Sequence, residues 1–191
     1  MVLTSNPLGQ VPPVLYRHKL PPLFFALFLS NTSISILPEE ALDKWKDQFS
    51  FLSLDHNPLE IFPMTLLEFQ KLRHLQLSRT KITSLPKNFT LLQNLVEFEM
   101  SSCALETLPK LIELPKLRLL NLANNSLTQP PLLHQPELFQ MIEWSLNPFC
   151  ESEEPLACAP QCSPDCSSRS MNYYSCMPGC RSSNCNHPSC T

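Results

Sequence analysis

Residues 117–127 read Leu-Arg-Leu-Leu-Asn-Leu-Ala-Asn-Asn-Ser-Leu. Leu117, Leu120, Leu122, Asn125 and Leu127 hold the marked places of the frame L-x-x-L-x-L-x-x-N-x-L. The same frame is filled upstream by Phe49, Leu52, Leu54, Asn57 and Leu59. It is filled again by Leu72, Leu75, Leu77, Thr80 and Ile82, and by Leu95, Phe98, Met100, Cys103 and Leu105. These four units start at positions 49, 72, 95 and 117, a period of 22 or 23 residues. Phe24, Leu27, Leu29, Thr32 and Ile34 extend the series toward the N-terminus, and Phe139, Ile142, Trp144, Asn147 and Phe149 close it. Leu3, Asn6 and Leu8 fill only the second half of a frame. A second signal, an apolar residue followed by proline, trails most units, as in Leu37-Pro38, Phe62-Pro63, Leu85-Pro86 and Leu108-Pro109.

Self-similarity at this period and with this signature resembles the leucine-rich repeat family. The L-x-x-L-x-L segment of each unit reads as a short strand, with the marked residues turned inward and the intervening ones outward. No unit can bury its apolar side alone, so stacking must make one continuous core. The expected fold is an α/β leucine-rich repeat solenoid. It has a curved parallel sheet on the concave side, short helices or loops on the convex side, and a small disulfide-rich C-terminal tail. One half repeat and six full repeats occupy 1–149, a cap or linker 150–161, and a cysteine-rich module 162–191.

Bulk composition narrows the function. The chain has 191 residues, of which 43% are hydrophobic, a fraction that does not suit a wholly disordered chain. Two glycines argue against phosphate-cradling loops, whereas 20 prolines suit a chain that turns often. A net charge of −3 without any run of Lys or Arg argues against nucleic-acid binding by a basic face. No apolar run reaches the roughly 18 residues of a membrane-spanning helix, so membrane association would need a segment not present here.

The N-terminal region admits two readings. Arg17, His18 and Lys19 precede the apolar run at 23–29, an arrangement resembling a signal peptide or anchor. Yet Leu27 and Leu29 sit in register with the repeat frame, which favours a repeat strand. A chain that opens inside a repeat, with no capping unit before it, suggests a fragment.

The Asn place suits a carboxamide that satisfies backbone groups in the turn after the strand. Asn57, Asn125 and Asn147 keep it, and Thr32, Thr80 and Cys103 replace it with smaller groups. Cys103 then reads as a buried, inert thiol. On the convex side, 41–48 (Ala-Leu-Asp-Lys-Trp-Lys-Asp-Gln) is the most helical stretch, with Trp45 as a core filler.

The frame makes the concave face legible: Phe51, Asp55, His56, His74, Gln76, Arg79, Glu97, Glu99, Asn121 and Glu143 are its candidate ligand-binding residues, with Phe28 and Met141 toward its ends. Curved faces of this kind in the family bind proteins or peptides. His56 and His74 near Asp55 and Glu97 could suggest a metal site or an acid/base pair, but solvated side chains are the commoner outcome. Neither a Gly-x-Ser-x-Gly, a His-Glu-x-x-His nor a phosphate loop occurs. The expectation is therefore no catalytic residue, no metal and no cofactor.

Of nine cysteines, eight fall between Cys150 and Cys190. Such density in a short tail suggests a disulfide framework and an oxidising compartment, with a zinc site in a reducing one as the rival. The spacing C-x3-C-x4-C at Cys176, Cys180 and Cys185 resembles the Notch-type cysteine-rich repeat. That resemblance implies pairing of Cys162 with Cys185, Cys166 with Cys180 and Cys176 with Cys190, leaving Cys150 and Cys158 to pair in the cap. The acidic loop such modules carry before their last cysteine is here Asn-His-Pro-Ser, so the module is degenerate and no calcium site is expected. Asn31, Asn88 and Asn124 open N-x-S/T sequons, which matter only in a secreted chain. Together these features read as a non-enzymatic extracellular or cell-surface protein that binds a protein or peptide ligand on the concave face. The alternative is an intracellular leucine-rich repeat signalling adaptor with a reduced or zinc-bound tail.

Overall fold

The computed structural model describes residues 1–13, 25–133, 135 and 138–150. Six three-residue strands follow one another along the chain: β1 (Ala26–Phe28), β2 (Phe51–Ser53), β3 (His74–Gln76), β4 (Glu97–Glu99), β5 (Leu119–Asn121) and β6 (Met141–Glu143). They form one parallel sheet in sequence order. Register follows the repeat frame: Leu27, Leu52, Leu75, Phe98, Leu120 and Ile142 stand side by side. Each of these central residues is buried and its two strand neighbours are more exposed in five strands of six, which is the alternation a sheet with one core-facing side requires. In β2 the exception is Ser53, which is also buried.

The N-terminal half unit stacks on β1. Val2 bridges to Phe28 in parallel, and the Leu3 and Ser5 amides donate to the carbonyls of Phe28 and Ser30, both at 2.9 Å.

The core is one continuous cluster running from Val11 to Phe149. Leucines form most of it, with a run of aromatic rings on the convex side: Trp45 on Phe49, Phe49 on Phe69, and Phe62 on Phe89. The convex segments are 3-10 turns, including Glu39–Ala41, Asp43–Trp45, Met64–Glu68 and Lys87–Leu91. Among the described residues none is an α-helix; the stretch 41–48, expected to be the most helical of the convex segments, holds the 3-10 turn Asp43–Trp45 and the end of Glu39–Ala41. With only 22 to 25 residues per unit, each convex segment is short, and most of the turns named follow a proline whose fixed φ starts them. Trp45 is buried in the core as expected.

The Asn positions close each turn as their chemistry demands. The Asn57 carboxamide oxygen accepts the Thr32 and Ile34 amides at 3.1 and 2.9 Å, and its nitrogen donates to the Leu29 and Leu54 carbonyls at 2.7 and 2.9 Å. Asn125 repeats the arrangement on Cys103, Leu105, Met100 and Leu122. The Thr80 hydroxyl donates to the Leu77 carbonyl in its own turn at 3.0 Å and meets the Cys103 thiol of the next unit at 3.5 Å, but reaches no backbone group of the repeat before it. Cys103 is buried, and burial pushes its thiol pKa up, as expected of an inert cysteine.

One feature was not legible beforehand. The residue before the Asn place has positive φ in every unit: Ser5, Asn31, His56, Arg79, Ser102, Asn124 and Leu146 lie between 54° and 60°. None is glycine, although this left-handed conformation disfavours side chains other than Asn and Asp.

The last unit ends with Trp144 packed edge-on against Phe149, at 5.9 Å between ring centroids. The Cys150 thiol lies 3.3 Å from the Trp144 carbonyl oxygen. Its expected partner Cys158, the other tail cysteines, the cap beyond 150, the module at 162–191, and the basic run Arg17–Lys19 lie outside the described residues. Asn31 and Asn124 occupy the left-handed turn position and Asn88 a convex 3-10 turn, all three exposed.

Candidate functional site: the concave face

Register brings two rows of outward side chains across the sheet. Ala26, Phe51, His74, Glu97, Leu119 and Met141 form the first, and Phe28, Ser53, Gln76, Glu99, Asn121 and Glu143 the second. Eight of the ten residues singled out from the sequence thus share one face, Asp55 lying just beyond β2. His56 and Arg79 differ. They sit in the left-handed turns after β2 and β3, at the rim and exposed, because the frame's eighth place has already left the strand. No His56–His74 pair forms. Among the described residues no group of three or more His, Cys, Asp or Glu could hold a metal ion.

The N-terminal half of the face is aromatic. Phe28 and Phe51 have ring centroids 4.7 Å apart, and Phe51 stacks on the His74 imidazole at 5.8 Å. Such offset ring contacts add to the simple burial of area. The His74 Nδ1 then meets the Glu97 carboxylate at 2.9 Å. Phe28, Phe51, His74 and Glu97 are therefore one connected chain of contacts crossing four strands.

The centre is acidic. Asp55 accepts the Ser78 amide at 2.7 Å and the Ser53 hydroxyl at 3.1 Å. Burial raises its pKa, and those two hydrogen bonds oppose the rise. The Glu99 carboxyl is pushed up to about 7, first by burial and then by Glu97 beside it. Two carboxylates on neighbouring outward places of one strand cannot both ionise freely, so Glu99 holds a proton near neutral pH. The Ser53 and Ser78 groups that orient Asp55 carry no signal distinguishing them in the sequence from other solvated serines.

A second concavity lies on the flank where the chain enters the strands. It encloses about 620 Å³ and is lined by Ser50, Gln70, Lys71, Arg73, Asn94 and Lys116. The sequence marks it by the triplet Lys-Leu-Arg, which occurs at 71–73 and again at 116–118.

Comparison with known proteins agrees with the repeat reading. A family model described as Leucine Rich Repeat matches residues 116–136. A leucine-rich-repeat protein of Leptospira interrogans superposes with a TM-score of 0.61 at 34% identity, over 66% of this chain and 32% of that one. The alpha subunit of geranylgeranyl transferase type-2 from Bos taurus is 29% identical over 133 residues, which make up 67% of this chain and 23% of the relative. The chain thus spans about a quarter of the curated relative's length and about a third of the structural neighbour's.

Repeat frame, parallel six-strand sheet and these matches agree on a fold like that of leucine-rich repeat proteins, with a preformed concave surface. Domains of this class commonly bind other proteins.

Proposed function

We propose that the protein is a non-enzymatic recognition module that binds a protein or peptide on the concave face, using Phe51, His74, Glu97 and Glu99 as its centre. The observation that carries this reading is the connected row from Phe28 to Glu97: an aromatic shelf that ends on a paired carboxylate, held in place by neighbouring strands. A rigid face of this kind binds without an ordering cost on its own side.

The test is site-specific photo-crosslinking. A benzophenone amino acid at position 51 should give discrete protein adducts, whereas one at the exposed convex residue Met64 should not. Absence of adducts at 51, or the same adducts at both positions, would remove the concave face as the binding surface.

The extracellular or cell-surface location belongs to the same proposal and rests on the cysteine-dense tail, with four disulfides and Cys103 as the one free thiol. Intact mass of the native protein with and without reduction tests it. Eight reactive tail thiols would favour the intracellular adaptor instead. One observation supports that alternative: a similar protein is named as a subunit of geranylgeranyl transferase type-2.

A further inference from the structure

Two Lys-Leu-Arg triplets occupy the same places of two repeats. In each the leucine, Leu72 or Leu117, is fully buried, so the flanking cations are displayed together on the flank. They enter β3 and β5, which are separated by β4, hence by two sheet spacings or roughly 10 Å. The intervening repeat carries Asn94-Leu95-Val96 at these places and no charge. The resulting groove is lined by Lys71 and Arg73 at one end and Lys116 at the other, and no carboxylate lines it.

This basic character is not neutralised within the described residues. Lys46 and Lys81 on the convex and rim sides pair with Glu68 and Glu60 at 2.8 and 3.5 Å. The side chains of Lys71 and Arg73 have no such partner there. The floor between the two cationic ends is ordered. The Asn94 amide nitrogen donates to the Gln70 carbonyl at 2.7 Å, and the Asn94 amide oxygen accepts from the Lys116 ammonium at 2.5 Å. Ser50 and Gln70 add uncharged hydrogen-bonding groups to the wall.

We propose that this flank groove is a docking site for an acidic protein segment held in the polyproline II conformation. In that helix residues three apart lie on one side and about 9 Å from each other, which matches the separation of the two cationic ends. One carboxylate is taken by Arg73, whose planar fork suits it, with Lys71 beside it. The next carboxylate is taken by Lys116. The polyproline II backbone makes no internal hydrogen bonds, so its carbonyls and amides are free for Ser50 and Gln70. The site lies apart from the concave row and does not depend on it.

The experiment uses the whole chain and a fluorescein-labelled peptide, Glu-Pro-Pro-Glu-Pro-Pro-Glu, followed by anisotropy at low and physiological salt. Saturable binding is expected, weakening with salt, and Arg73→Glu or Lys116→Glu should each reduce affinity by about tenfold or more. Lys87→Glu, an exposed cation on the convex side, should leave it unchanged. All three substitutions are on exposed side chains, so thermal melts should coincide with wild type and separate binding from folding. The proposal is overturned by no saturable binding, by equal loss in Lys87→Glu, or by equal affinity for a permuted peptide with its three glutamates adjacent. Equal affinity for an RNA oligonucleotide would also overturn it, since a non-specific polyanion patch would then suffice. Because Phe51 takes no part, a Phe51→Ala variant should bind the peptide normally even if the concave face proves to have no ligand.

Discussion

Asn125 closes the turn of the repeat before its own: its carboxamide oxygen accepts the Cys103 amide at 3.1 Å. It also accepts the Leu105 amide at 3.0 Å and donates to the Met100 and Leu122 carbonyls. All four backbone groups are in buried surroundings. Asn125→Ala leaves two buried amides unpaired, and unpaired groups of this kind cost about 1–3 kcal/mol each. A loss of roughly 2–4 kcal/mol is expected in urea unfolding. Thr80→Ala, which removes one turn hydrogen bond and a weak contact with the Cys103 thiol, should cost about 1 kcal/mol. Equal effects would mean that the carboxamide ladder does not couple the repeats.

Leu120 is fully buried at the middle of β5, flanked by Phe98 and Ile142. Leu120→Ala should destabilise by about 2–5 kcal/mol through lost transfer energy and a cavity. Gln76→Ala, on the concave face, should cost about 0.5 kcal/mol or less. Similar denaturation midpoints for the two variants would contradict the assignment of inward and outward places.

Leu146 is 69% exposed and has a φ of 57°. A leucine gains nothing from that position and carries the steric cost of the left-handed conformation, about 1–2 kcal/mol. Glycine adopts it freely but loses more chain entropy on folding. Leu146→Gly should therefore stabilise by about 0.5–1 kcal/mol, seen as a raised melting temperature. The opposite result would place Leu146 in a contact that its exposure does not suggest.

The Glu99 carboxyl, at about 7 in the folded chain, starts from an ordinary value of 4.5. A raised folded pKa means that the native state binds the proton more tightly. Its stabilising effect is complete below pH 4.5 and is lost as pH rises through 7. Stability should thus fall between about pH 5 and 7.5, and the raised Asp55 adds a contribution of the same sign at lower pH. Glu99→Gln should flatten the dependence. Urea midpoints across this range test it, and an unchanged slope in the variant would assign the effect elsewhere.

Much of the fold was legible because its determinants are local and repeated. Leu52, Leu75, Phe98 and Leu120 recur at a fixed period, and the fixed period places them in register without further information. The Asn places were legible for the same reason. Less of the site was. Frame arithmetic put Phe51, His74 and Glu97 on one face, but ring stacking and the His74–Glu97 contact depend on rotamers that no spacing encodes. His56 and Arg79 fall in the turns after the strands, a placement the frame does not mark because it does not say where the strand ends. The left-handed turn position went unseen because glycine, its usual marker, is absent there. The convex side was legible as short helical turns, but that these are 3-10 rather than α-helical is not marked by the spacing of Ala41, Leu42 and Trp45.

The carboxamide ladder also divides the solenoid mechanically. Asn57, Asn125 and Asn147 each clamp their own repeat to the one before. Thr80 bonds no backbone group of the repeat before it, and Cys103 reaches back with a thiol alone, to the Leu77 carbonyl at 3.2 Å and the Thr80 hydroxyl at 3.5 Å. Both weaker seams flank β3. Beside the backbone ladder, side chains on the binding face join the middle repeat to its neighbours: Asp55 meets the Ser78 amide on one side and His74 meets Glu97 on the other. The side chains that would meet a ligand thus also tie the middle repeat to the units on either side, so the binding face is part of what holds the stack together.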